Sequence, residues 1–114
     1  MKRLCPLFLL FIVLAIGCQS PRPRELHFTG EAIGEILDQY GEPDVDVTFR
    51  LTEGLPQYRM GLLNHFRESE QGNTIIREWK WMMEEKTRAI WFKKVDRGVW
   101  ETIEGLEWGK SIRF

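Results

Sequence analysis

The chain is poor in the residues on which much protein chemistry depends. Its 114 residues include two cysteines, two histidines and three serines. His27 and His65 belong to no metal-ligand spacing, so no metal site is expected. Ser20, Ser69 and Ser111 sit in no nucleophile-elbow motif. There is no phosphate loop and no dinucleotide fingerprint, and no cofactor is expected. Charge of one sign is also lacking: 16 Lys and Arg stand against 17 Asp and Glu. A nucleic-acid binder normally shows a basic excess, so none is expected as a partner. No apolar run is long enough to cross a bilayer. The longest is Leu7 to Ile16, and at about 1.5 Å per helical residue ten residues span only half of a core of roughly 30 Å.

That short run has a specific setting. Lys2 and Arg3 precede it, and Leu14-Ala15-Ile16-Gly17-Cys18 closes it. A charged start, an apolar stretch and small residues make a secretory signal. The ending resembles the lipobox of bacterial lipoproteins, in which a peptidase cuts before a cysteine that carries diacylglycerol. The resemblance implies a signal peptide over residues 1–17 and lipid on Cys18. Ala15 stands where that motif usually has Leu. Ala15 with Gly17 also satisfies an ordinary small-x-small cleavage site at the same bond, which would leave a free N-terminal cysteine. Gln19 rather than Asp follows Cys18, which in enteric lipoproteins implies the outer membrane, facing the periplasm. The expected setting is therefore the bacterial cell envelope, with a membrane as partner through the N-terminal lipid.

Cleavage changes the arithmetic. Removing Lys2 and Arg3 from the 16 basic residues leaves 14 against 17 acidic ones, a net charge of −3. Cys5 is lost as well, so Cys18 is the one remaining cysteine and no intramolecular disulfide can form. Residues 18–25 contain Pro21, Pro23, Arg22 and Arg24 and read as an extended tether of roughly 20 Å. Residues 26–114 read as a single small domain.

The domain opens on helical periodicity. Ile33, Ile36, Leu37 and Tyr40 form one apolar stripe over residues 30–40. Thr29 is the expected N-cap, Gly41 the expected C-terminal cap, and Pro43 prevents continuation. Val45 to Leu51 alternates strictly and reads as a half-buried strand. Residues 53–56 suggest a turn, 58–67 a short helix, and 68–73 a polar loop. Strands are expected over 75–83, 87–95 and 99–104, with a last edge strand over 106–114 broken at Gly109. Asp96-Arg97-Gly98 reads as a hairpin turn. The expected class is α+β: an N-terminal amphipathic helix packed on one face of an antiparallel sheet of three to five strands.

All five tryptophans lie between Trp79 and Trp108. Each buries roughly 150–250 Å² and is an economical core residue for a ninety-residue domain. Trp79, Trp81 and Trp91 are assigned to the core, and Trp100 and Trp108 to a candidate binding face. Glu78, Glu84, Glu101 and Glu107 fall in strand patterns that look like solvated faces. No catalytic set emerges, so a non-enzyme is expected.

The order of parts also resembles a known family. A lipidated cysteine, a short tether, an amphipathic helix closing on Tyr40-Gly41-Glu42-Pro43-Asp44 and aromatic-rich strands are similar to small outer-membrane lipoproteins of the SmpA/OmlA (BamE-like) type. That resemblance implies a helix-then-sheet fold and a non-catalytic scaffold role beside another envelope protein. The stretch 52–73 departs from the family pattern, and no partner-binding residue is carried over. The alternative is an inhibitor or ligand-binding lipoprotein that uses a tryptophan-rich sheet face.

Overall fold

The computed structural model describes residues 22–52 and 55–112. Cys18 and the signal segment lie outside them. The architecture is α+β. Five strands form one antiparallel sheet: β1 (Arg24–Leu26), β2 (Val45–Arg50), β3 (Ile75–Met82), β4 (Lys86–Lys94) and β5 (Trp100–Gly109). Their order is β1-β5-β4-β3-β2, so β2 to β5 form a meander and β1 adds beside β5. Helix α1 is Ile33–Tyr40 and α2 is a single turn, Glu68–Gln71. A 3-10 segment, Gln57–His65, connects β2 to α2.

Both faces of the sheet carry a core. On the first, Ile36 of α1 packs with Trp79, Trp81, Ile90 and Phe92, flanked by Phe28, Ile33 and Tyr40. On the second, Leu62 of the 3-10 segment packs with Leu51, Ile76, Ala89 and Trp91. A sheet covered on one side leaves alternate strand residues in water. Here β3 and β4 are buried on both sides, which explains why Ile90, Trp91 and Phe92 are consecutive core residues. The expected single covered face is therefore corrected to two.

Helix α1 starts later than the stripe implies. Ala32 is its N-cap, without a side-chain bond. Thr29 instead donates its backbone N–H and hydroxyl to the Glu31 carboxylate, each at 2.8 Å. Glu31 reaches on to β5, where the Thr102 hydroxyl donates to it at 2.9 Å. The Thr102 N–H donates to the Glu31 carbonyl at the same distance. This clamp ties the start of α1 to the sheet. At the other end Gly41 adopts φ 81° and its N–H closes on the Leu37 carbonyl, a left-handed conformation that favours glycine.

The sheet begins inside the expected tether, since Arg24 and Glu25 stand opposite Glu107 and Leu106. The expected final edge strand is also corrected. Residues 100–109 are one strand, with β4 on one side and β1 on the other. Gly105 makes that continuity possible. A Cβ there would lie 2.9 Å from Phe28 Cε2 and 3.1 Å from both the Ala89 carbonyl oxygen and Leu26 Cβ. A side chain at this point would force β1 and β4 apart.

Two outcomes follow. Gly105→Ala loses about 1–3 kcal/mol of stability through overpacking against a backbone carbonyl, read as a lower urea midpoint. Glu31 gives the second. The Thr29 hydroxyl above all, with the other hydrogen bonds, holds its carboxyl down from the ordinary 4.5 to about 2. Its contribution is complete above the unfolded value and is lost as pH falls towards the folded one. Glu31→Gln is therefore less stable than the wild type at neutral pH, and the gap closes between pH 4.5 and about 2.

Candidate functional site

The two tryptophans assigned to a binding face do not share one. Trp91 stands opposite Glu104, but Phe92 stands opposite Thr102. Ile103 is thus an extra residue, a β-bulge that shifts the alternation of β5. Before it Trp100 packs towards the α1 side. After it Trp108 packs towards the 3-10 side. Trp108 joins an aromatic stack: its ring lies 5.2 Å from Tyr58, which lies 6.3 Å from Trp91 at 28°. Its place is in the second core layer. Trp79, Trp81 and Trp91 are buried.

Trp100 has a different setting. It is half-buried and lines an open groove of about 710 Å³ at one end of the sheet. His65, Asn73, Ile75, Lys93 and Lys94 line it too. Lys94 Nζ lies 5.8 Å from the Trp100 ring centroid, and the Arg77 guanidinium carbon 5.7 Å. Arg77 is itself fixed by a bidentate pair with Asp46, at 2.9 and 2.7 Å. That pair lowers the Asp46 carboxyl below its ordinary value and raises the Arg77 guanidinium above its own. Glu70 and Asp96 bring acidic groups to the same groove. The site therefore offers an indole, an exposed aliphatic side chain at Ile75 and the exposed ammonium groups of Lys93 and Lys94. Such a mixture suits a partner with apolar surface and acidic groups.

Two carboxylates expected in water are corrected to buried. Glu107 receives Arg88 at 2.6 Å and Lys86 at 3.2 Å. Burial opposes its charge, and these hydrogen bonds outweigh burial and leave its carboxyl below the ordinary range. Glu78 has no exposure at all. Arg59 grips it at 2.7 and 2.9 Å, the Trp91 indole N–H donates at 2.8 Å, and the Tyr58 hydroxyl donates at 3.4 Å. Arg59 also lies 3.9 Å over the Phe49 ring. Its guanidinium is raised by the Glu78 hydrogen bonds, and the Tyr58 phenol is raised by burial and then by the Glu78 charge. Sequence reasoning missed this network. The available signal was Ile76 on the same stripe as Glu78, together with Tyr58, Leu62, Leu63 and Phe66 within 58–67. Glu78 itself is closed to solvent, and the network serves packing.

Among the described residues, no group of three or more His, Cys, Asp or Glu is placed to hold a metal ion. No helix among them is long and apolar enough to cross a membrane. Compared with family models, curated proteins and solved structures, the chain matches none.

The burial of the tryptophans sets an optical expectation. Iodide quenching of the intrinsic fluorescence comes mainly from Trp100 and Trp108. The double variant Trp100→Phe, Trp108→Phe keeps blue-shifted emission and loses more than half of the quenching. Unchanged quenching would show that the core tryptophans are wet.

Proposed function

We propose that the protein is a lipid-anchored lipoprotein of the bacterial cell envelope, on the periplasmic side of the outer membrane, where it acts as a non-catalytic interaction or scaffold module. The observation that carries this reading is the ending Leu14-Ala15-Ile16-Gly17-Cys18 on a short apolar run with Lys2 and Arg3 before it. The fold adds support of a different kind. Arg24 already belongs to β1, so only residues 19–23 separate Cys18 from the sheet. Five extended residues reach at most about 18 Å. A domain held that close to a bilayer meets envelope proteins at raised local concentration, and modest affinity then suffices.

The expected partner is another envelope protein, received at the Trp100 groove. The SmpA/OmlA resemblance, which rests mainly on residues 28–44, names an outer-membrane assembly as the type of partner. Trp100 also favours one alternative, a ligand-binding or inhibitory lipoprotein in which the same groove takes a small molecule or a soluble enzyme.

The first part is tested by labelling with radioactive palmitate. The wild type incorporates label and sediments with membranes, whereas Cys18→Ser does neither. Label or membrane association retained by Cys18→Ser would refute the anchor. The second part uses a photo-crosslinking residue at Lys94 in intact envelopes. Capture of a membrane assembly supports the scaffold reading. A soluble enzyme or glycan as the sole product supports the alternative.

A further inference from the structure

A cationic cluster stands where the chain enters the sheet. Arg24 of β1, Glu107 of β5 and Arg88 of β4 form one cross-strand row. Lys86, earlier on β4, reaches the same carboxylate. The three cationic heads lie 3.9 Å (Arg24), 3.2 Å (Lys86) and 2.6 Å (Arg88) from Glu107. Three cations thus share one carboxylate, and positive charge is left over. Glu84 and Glu85 lie in the turn before β4, yet among the described residues neither pairs with these cations.

The cluster has a fixed base and an open rim. The side chains of Glu107 and Arg88 are 8% and 16% exposed. The Arg88 guanidinium lies 4.3 Å over the Tyr40 ring and 6.0 Å from that of Trp81, which hold its plane. It donates only its Nε–H to Glu107, so the terminal N–H groups of the fork keep their capacity. Lys86 and Arg24 reach further into solvent at the rim. An arginine fork beside an ammonium group matches the oxygens of a phosphate.

Position decides where the phosphate comes from. Only residues 19–23 separate Cys18 from Arg24, at most about 18 Å of extended chain. The headgroup layer of an anchoring bilayer lies within that reach. We propose that Arg24, Lys86 and Arg88 form a phosphate site that takes a phospholipid headgroup of the bilayer holding the Cys18 anchor. The lipid source rests on the proposed anchor, whereas the site itself does not. Docking of this end also orients the domain. Trp100 starts β5 and Glu107 lies near its end, about 23 Å apart along the strand. The Trp100 groove is then held away from the lipid and towards partners.

The test uses the full chain, reconstituted in phosphatidylcholine vesicles with or without phosphatidic acid. It reads the acylation of single lysines by a water-soluble amine reagent. Lys86 reacts about fivefold more slowly when phosphatidic acid is present, the effect of one favourable charge contact at a lipid surface. Lys94, in the groove, reacts equally in both. Arg24→Gln removes the most exposed of the three cations and loses most of the slowing, with unchanged tryptophan emission as the check on folding. Equal Lys86 rates in the two vesicles would overturn the proposal, as would equal slowing of Lys94 or full slowing in Arg24→Gln. Inorganic phosphate added to the phosphatidylcholine vesicles leaves Lys86 unchanged. A matching slowing there would keep the phosphate site and overturn the headgroup as its source. A chain that floats with neither vesicle would refute the anchor and the lipid source together, and the response of Lys86 to inorganic phosphate would then decide the site.

Discussion

A carboxylate shut off from water holds the two sides of this domain together. Glu78 lies at the middle of β3, opposite Trp91 of β4. Its oxygens are taken by the Arg59 fork and the Trp91 indole. Burying such a charge is unfavourable unless it is paired and hydrogen-bonded. The requirement also works in reverse, because the pair fixes where the 3-10 segment lies. Gln57–His65 has no side-chain cap at its start, and 3-10 geometry is weak over long runs. Its position depends on what it touches. Arg59 grips the sheet, Leu62 fills the layer below, and Tyr58 stacks between Trp91 and Trp108. With that layer in place Leu51, Ile76, Ala89 and Trp91 are buried on the second face.

The β5 bulge is the other constraint. By inserting Ile103 it turns Trp100 to one side and Trp108 to the other. The first half of β5 can then receive Glu31 and the start of α1. The second half completes the aromatic stack of the opposite layer. One groove carries an accessible tryptophan as a result, rather than a continuous aromatic platform. A groove edged by Lys93, Lys94 and Trp100 suits contact with a partner, which agrees with the role proposed for a tethered envelope module.

Much of this fold was written in local periodicity. The alternation of 75–83 and 87–95 carries into β3 and β4, and Ile33, Ile36 and Tyr40 coincide with the residues of α1 that meet the sheet. Trp79, Trp81 and Trp91 are core residues as their bulk implies. Apart from the start of α1, where Thr29 binds Glu31 instead of capping the helix, the misreadings concern partners distant in sequence. Glu78 and Glu107 alternate like surface residues, and Arg59, 19 positions before Glu78, is what makes burial tolerable there. β1 spans three residues of charged composition and becomes a strand through β5 alone. The stretches 99–104 and 106–114, expected as separate strands, are joined at Gly105, whose missing side chain lets three strands pass closely. The candidate site was legible to the level of Trp100 as an accessible indole. That Trp108 points elsewhere depends on a one-residue bulge with no signature in the strand pattern.

The central place of Glu78 is tested most directly by a double-mutant cycle with Arg59→Leu and Glu78→Leu, followed by urea denaturation. Each single change strands a buried group, and each is expected to lose about 3–5 kcal/mol. The double variant is expected to lose much less than their sum, with a coupling of at least about 2 kcal/mol. Additive losses, with a coupling near zero, would contradict the claim that this pair fastens the 3-10 layer to the sheet.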